Sequence, residues 1–351
     1  MNNLYVDLKS ERGHFLPSYM TMLNGNGNVD VLKKLIIEKY YPMYKTNEII
    51  IINSYFFTLY SVFDFVVKKP KDEIIIIGPH PSEYMEILKL TKGNPKVIDS
   101  GITDFKITSS AITKAITTNT QALIISEPSN PAGIVYNIKE KQTLTDLFNT
   151  LNIYIIVDEI FNRFVNKDYI SFSNMINNDI RKKMMFVNGL EKSLMLKNYP
   201  LHYILADKDI IMDLEKTLSF NAPSSTEINA ATGAISDNVF QEFFKRYYLY
   251  NRQLLVKELE FLKIDYVKGD NGYFVFMNTE VFNITGNEFC RYVHNKYNIA
   301  ISPGYLYGVN YENYIRISCC NDVSNITDII QVLRKMINYY RGCKEINTPS
   351  K

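Results

Sequence analysis

No charge of one sign dominates this chain. Lysine plus arginine number 39 and aspartate plus glutamate 37 in 351 residues. So close a balance supplies neither a basic face for nucleic acid nor an acidic solvating tail. Cysteine is scarce: Cys290, Cys319, Cys320 and Cys343 show no CxxC spacing, so neither a zinc site nor a redox pair is expected. Long apolar runs are missing too. The longest centres on Ile49 to Ile52, far short of the roughly 18 residues a membrane helix needs. The start, Met1-Asn2-Asn3-Leu4-Tyr5-Val6-Asp7, lacks the apolar centre of a secretory leader. These absences predict a cytoplasmic protein with no nucleic-acid or membrane partner. Glycine is also low, at 15, which leaves few positions for tight turns.

What is present is enough apolar material for a large core, 46% of residues with 22% charged, in a chain long enough for two domains. Short β-branched runs recur at Glu48 to Ile52, Glu73 to Ile77, Ala122 to Ile125, Tyr154 to Val157, Met185 to Val187 and Tyr203 to Leu205. Near-continuous Ile and Val suit strands buried on both faces of a mostly parallel sheet. Phe56 to Val67 and Lys139 to Leu151 space apolar residues by three and four, as crossover helices do. This is an α/β pattern. Beyond about residue 225 the texture changes. Ile228 to Phe261 is amphipathic and free of proline and predicts one long helix; strands at Tyr273 to Phe276 and Tyr314 to Ser318 follow, then a helix near Ile326 to Tyr340. That is a smaller α+β C-terminal domain.

Four marks stand in order along the chain. They are Ser126-Glu127-Pro128-Ser129-Asn130-Pro131-Ala132-Gly133, Val157-Asp158-Glu159-Ile160-Phe161, Gly189-Leu190-Glu191-Lys192-Ser193 and Tyr314-Ile315-Arg316-Ile317-Ser318. The first three follow strands, and ligands of open α/β sheets bind beyond the strands' carboxyl ends. Singly, each has a plainer reading: a turn, a helix cap, a solvated lysine, an edge-strand ion pair.

Together, the marks make the chain resemble the fold-type-I pyridoxal-phosphate enzymes of the class I/II aminotransferase superfamily, nearest in flavour to the branch of histidinol-phosphate aminotransferase and threonine-phosphate decarboxylase. Asn130 to Gly133 is similar to that family's Asn-Pro-x-Gly, Asp158 to Phe161 to its Asp-Glu-x-Tyr, Gly189 to Lys192 to its Ser-x-x-Lys, and Arg316 to its strand arginine. Softer matches are Asp7 to Glu11, Gly272-Tyr273-Phe274 and Ser302-Pro303-Gly304.

The resemblance implies an N-terminal arm over residues 1–24, a large pyridoxal-phosphate domain over 25–224 and a small domain over 225–351. It implies that Lys192 forms the cofactor's Schiff base and moves protons. Asp158 pairs with the ring nitrogen of an electron-sink cofactor, Asn130 donates to the ring hydroxyl, and Arg316 grips the α-carboxylate of a small amino acid or keto acid. Tyr19 falls where the family's neighbouring subunit reaches the phosphate, implying a homodimer with shared sites.

The chain departs from that pattern mainly around the phosphate. The glycine-containing turn that opens a helix there reads Asn53-Ser54-Tyr55-Phe56, so Ser54 and Tyr55 take its place. Gly189 replaces a hydroxyl, Pro200 an arginine and His202 a glycine. Phe161 stands where a tyrosine reaches the ring hydroxyl. Strict alignment puts Pro81 at the ring-stacking position, and a shift of one residue puts His80 there. Losing two charge-assisted contacts, at about 1.5–3 kcal/mol each, weakens cofactor binding by about a hundredfold or more.

The pattern leaves several readings open. An aminotransferase leads. Within the same chemistry stand a decarboxylase or a cyclase, since the pocket decides which bond breaks. Outside it stand a descendant that keeps the fold as a binding or partner module, and a cofactor-independent use of the Lys192 amine.

Overall fold

In the computed structural model of the chain, the described residues are 5–9, 27–165, 169–196, 198–218, 222–269 and 271–346, the side chains of 341–346 excepted. The first half runs β1 (Val6–Asp7), α1 (Val29–Tyr40), β2 (Ile49–Ile52), α2 (Tyr55–Val66), β3 (Glu73–Gly78), α3 (Ser82–Thr91), β4 (Asn94–Asp99), α4 (Ser109–Ala115) and β5 (Thr120–Ser126). It continues with α5 (Ile138–Thr150), β6 (Tyr154–Asp158), α6 (Asn178–Arg181), β7 (Met184–Gly189), α7 (Leu190–Ser193), β8 (His202–Ala206) and α8 (Lys208–Leu218). The rest comprises α9 (Ser225–Ser236), α10 (Asn238–Leu262), β9 (Phe274–Asn278), α11 (Gly286–Tyr297), β10 (Ile299–Ala300), β11 (Ser302–Pro303), β12 (Tyr314–Ser318) and α12 (Val323–Ile346).

Seven strands form one sheet in the order β2-β8-β7-β6-β5-β3-β4. Only β8 runs against its neighbours. The continuous Ile and Val runs have a direct cause here. Side chains alternate across a strand, and both faces are covered: Ile50, Ile52, Ile74, Ile76, Ile156 and Val187 enter one core, while Ile49, Ile51, Ile75, Ile155, Val157 and Phe186 enter the other. A second, antiparallel sheet has the order β11-β12-β9, and β1 pairs with β10. The expected α/β class, with a mostly parallel sheet between helices, is what the chain forms.

Two elements differ from expectation. The single helix foreseen over Ile228 to Phe261 is two helices, α9 and α10, meeting at Asp237. Asp237 Oδ1 accepts the N–H of Phe240 at 2.9 Å, so a short acceptor side chain caps a new helix where no proline or glycine marks a break. Strand β4 was not foreseen. Its sequence, Asn94-Pro95-Lys96-Val97-Ile98-Asp99, is polar and only partly buried at one edge of the sheet, where proline is tolerated.

The turn after β5 is clasped by the segment that leads into β9. Gly133 has φ +67°, and a Cβ there would lie 2.2 Å from the Asn271 carbonyl oxygen; the Asn271 N–H in turn donates to the Gly133 carbonyl at 3.2 Å. Gly272 shares the left-handed conformation at φ +71° but has no neighbour within 3.6 Å of such a Cβ. Gly272→Ala should therefore cost only the left-handed penalty, roughly 1–2 kcal/mol. Gly133→Ala adds a backbone clash, for a total of about 3 kcal/mol or more. Urea unfolding of the two variants side by side checks the difference; equal losses would refute the clasp.

Candidate active site

The carboxyl ends of β2, β3, β5, β6 and β7 lie at one end of the sheet, and each leads to a residue singled out in the sequence. Asp158 is the last residue of β6 and 1% exposed. Its carboxylate is held by three donors. The Tyr84 hydroxyl reaches Oδ2 at 2.5 Å, the Tyr55 hydroxyl reaches the same oxygen at 2.8 Å, and the Ile160 N–H reaches Oδ1 at 3.2 Å. Burial raises the Asp158 pKa, and the hydrogen bonds from Tyr84 and Tyr55 and the charge of Lys192 oppose that rise. Burial first, then the Asp158 charge, raises both phenols well above the ordinary tyrosine value, so both stay protonated donors near neutrality.

Lys192 lies in α7, inside the hairpin that joins β7 to β8. Antiparallel strands can be joined so closely, whereas a parallel pair needs a full crossover. The N–H groups of Leu190 and Glu191 donate to the Leu201 carbonyl, at 2.8 and 3.1 Å, and close the hairpin's base. Lys192 is 7% exposed, and its Nζ stands 4.9 Å from the Tyr55 ring centroid and 5.0 Å from that of Phe161. It is a buried amine, and the plain reading of a solvated surface charge is excluded.

Arg316 lies on β12, the central strand of the small sheet, opposite Ser302 and Phe276. The edge-strand reading is therefore excluded as well. The guanidinium is 4% exposed and donates to Asn130 Oδ1 and to the Lys9 carbonyl, each at 2.9 Å. Phe274 and Tyr307 flank it, with ring centroids 4.6 and 5.3 Å from Cζ. The turn after β5 and the small sheet thus meet through one arginine.

The departures from the family pattern have a common geometry. Gly189 and His202 are directly opposite each other where β7 pairs with β8. A Cβ on Gly189 would lie 2.8 Å from His202 Cδ2, so the lost hydroxyl and the gained imidazole are one steric exchange. His202 Nδ1 contacts the Pro200 carbonyl at 3.0 Å, and its ring lies 5.4 Å from that of Tyr55. Ser54 caps α2, its Oγ accepting the Phe57 N–H at 3.3 Å; its own hydroxyl proton is not consumed by that bond. Ser193 donates to the Gly189 carbonyl.

The remaining positions are also placed. His80 is buried, its amide bonded to the Tyr307 carbonyl at 3.1 Å, and its ring stacks on Tyr84 at 14° and 6.3 Å between centroids. It therefore meets the tyrosine that holds Asp158. Burial lowers its pKa, which favours the neutral ring near pH 7. Phe161 packs edge-on against Tyr273 and Phe274. Tyr19 lies outside the described residues. Tyr84 was not recognised as a site residue; its only signal was an aromatic residue in the first turn of a helix that follows a crest strand.

The profile described as aminotransferase class I and II matches residues 25–333. The chain belongs to this family. It is an enzyme of the aminotransferase class, and members of the family use pyridoxal phosphate. An aspartate aminotransferase of Bacillus subtilis is 26% identical over 335 residues, covering 90% of this chain and 84% of that one. A probable N-acetyl-LL-diaminopimelate aminotransferase of the same organism is 26% identical over 262 residues, 72% of this chain and 64% of its own length. Among solved structures, an aspartate aminotransferase of Thermotoga maritima superposes with a TM-score of 0.86 at 17% identity, covering 95% of this chain and 92% of that one. That likeness is one of fold.

The aminotransferase-family hairpin offers a direct test. Gly189→Ser alone should destabilise by about 1–3 kcal/mol through overpacking against His202. Combined with His202→Gly it should recover most of that loss, with a coupling energy of about 1 kcal/mol or more in a double-mutant cycle of thermal unfolding. Simple additivity would show that the two positions are independent.

Proposed function

We propose that the chain is a pyridoxal-phosphate-dependent aminotransferase acting on a small α-amino acid and its keto acid, with Lys192 as the amine that holds the cofactor covalently. The observation that carries this is the meeting of Lys192 and Asp158 at one aromatic ring: a buried amine over the face of Tyr55 and a buried carboxylate at its hydroxyl. The residues fit the cofactor at its ring nitrogen, its aldehyde carbon and the substrate carboxylate, provided the Tyr55 ring leaves that gap. Asp158 would keep the ring nitrogen protonated, with Tyr84 as its standing donor, and Asn130 would reach the ring hydroxyl. The first turn of α2, with Ser54 at its cap, would face the phosphate. Bound there, the cofactor supplies an electron sink for the carbanion left at the substrate's α-carbon.

The chain's own side chains do the rest. Lys192 Nζ, released once the substrate's amine has taken its place, would accept the proton from the substrate's α-carbon and hold it for return. Arg316, fixed by Asn130 and the Lys9 carbonyl, holds the α-carboxylate so that this proton faces the lysine. His80 and Phe161 wall the pocket with apolar surface. The names of the relatives put aspartate, prephenate and N-acetyl-LL-diaminopimelate first in a substrate screen. A homodimer with shared sites, in the cytoplasm, completes the proposal. The exposed Phe56 and Phe57 on the first turn of α2, beside the site, support a second copy closing over it. We also propose that the arm, large domain and small domain divide near residues 24 and 224.

Two measurements test this. Wild type mixed with excess pyridoxal phosphate should turn yellow, and Lys192→Ala should not; a colour that survives the substitution would remove Lys192 from its role. Arg316→Ala should raise KM for amino acids by about 10–100-fold, the worth of one charge-assisted pair, while binding of amines without a carboxylate stays unchanged. A uniform loss for both would mean that the arginine only supports the fold.

A further inference from the structure

Tyr55 occurs where the family's phosphate turn opens a helix, yet its side chain does not stay there. The hydroxyl crosses to Asp158 Oδ2 at 2.8 Å, and the ring centroid comes to rest 4.9 Å from Lys192 Nζ. The ring of His202 covers it at 5.4 Å and 37°. An aromatic ring therefore lies against both groups, its donor end on the carboxylate and its face beneath the amine. A pyridinium ring whose N–H made the same bond to Asp158, with its aldehyde carbon turned to the amine, would need the same carboxylate oxygen and the same space. The two rings cannot share the gap.

We propose that Tyr55 is an internal occupant of the ring seat between Asp158 and Lys192, and that a ring ligand enters only after this side chain has swung out. The inference rests on reading that gap as the cofactor's ring seat, as proposed above.

The local structure suits an exchangeable occupant. Tyr55 is the first residue of α2, directly after the Ser54 cap, where a residue's N–H takes no part in the helix's own hydrogen bonds. Its side chain can rotate without breaking the helix. Tyr55 is half-buried, with exposed Phe56 and Phe57 beside it, whereas Tyr84 is 1% exposed on α3. When Tyr55 leaves, Asp158 keeps the Tyr84 hydroxyl and the Ile160 N–H. Tyr84 is the fixed donor and Tyr55 the replaceable one. Any ligand that takes the seat must bring a donor of its own, because a buried carboxylate that loses a hydrogen bond loses affinity for whatever displaced it. Tyr55 thereby selects rings with a protonated nitrogen or a hydroxyl at the far end.

The test uses the full chain as wild type, Tyr55→Ala and Tyr55→Phe, with two probes. The first is p-cresol, the side chain of tyrosine as a free molecule, read by thermal shift. It should raise the melting temperature of Tyr55→Ala and leave wild type unchanged, and the gain should vanish in Tyr55→Ala/Asp158→Asn. The second is pyridoxal phosphate, titrated by its visible absorbance. Tyr55→Ala should bind it at least about tenfold more tightly than wild type, the worth of displacing one hydrogen bond to a charged group. Tyr55→Phe, which keeps the ring but not the bond, should fall between, and it carries the test should the alanine variant fail to fold.

Cresol protection through Asp158 with no uptake of pyridoxal phosphate by any variant would uphold the occupied seat and sink the cofactor proposal. Pyridoxal phosphate bound equally or more weakly by Tyr55→Ala, or no cresol effect on it, would overturn the occupant and leave the cofactor proposal standing.

Discussion

The site is organised around one buried carboxylate. Asp158 ends β6 under cover of both helix layers, and an ionised group placed there without partners would cost several kcal/mol. The fold answers with hydroxyls from the first turns of two different helices, α2 and α3, and a backbone N–H from its own loop. Those bonds fix where α2 and α3 begin relative to the sheet, and they draw Tyr55 away from the solvent edge. The Lys192 amine lies over the Tyr55 ring and its charge acts on the same carboxylate, so the polarity of the site follows from a single requirement: the charge at the strand's end must be met.

The sheet's topology explains why the amine is there at all. Strands β5, β6 and β7 run parallel and deliver their ends to one crest, but β8 returns antiparallel beside β7. A hairpin of that kind stays at the crest instead of crossing to the far edge, so everything it carries remains in the crevice. Lys192 is one consequence. The Gly189–His202 pair is another, because the residues that flank the hairpin face each other in register, and a side chain on one side has to be matched by space on the other. The changes in the phosphate turn and hairpin read as separate losses along the chain, yet they are neighbours in space.

The sequence made the strands legible because their side chains alternate between two dry cores, so almost every position had to be apolar. It made Asp158, Lys192, Asn130 and Arg316 legible because each follows or interrupts such a run. What it could not show was direction. Nothing in Tyr55 says whether its ring stays by the helix terminus or reaches across to Asp158, since that depends on a carboxylate 103 residues away. Tyr84 was hidden for the same reason, its partner being 74 residues distant. Edge strand β4 lacked the apolar signal because its side chains are only partly buried, and the break at Asp237 was carried by a single capping carboxylate within an otherwise helical pattern.

These observations bear on how affinity is distributed across the site. In the resembling enzymes a glycine-containing turn, a hydroxyl and an arginine grip the phosphate; here α2 keeps the helix terminus and Ser54, while glycine, proline and histidine take the other places. A helix terminus alone gives an anion about 0.3–1 kcal/mol per charge at exposed sites, and more only where partly buried, less than a charge-assisted pair supplies. On the proposed reading, affinity would come chiefly from the ring's bond to Asp158 and the covalent bond to Lys192. Those are the two contacts that Tyr55, as the proposed occupant, would obstruct. A weakened phosphate grip and an occupied ring seat would act in the same direction, both raising the cofactor concentration at which the site fills. A substrate carboxylate held by Arg316, as proposed, would lie outside that competition.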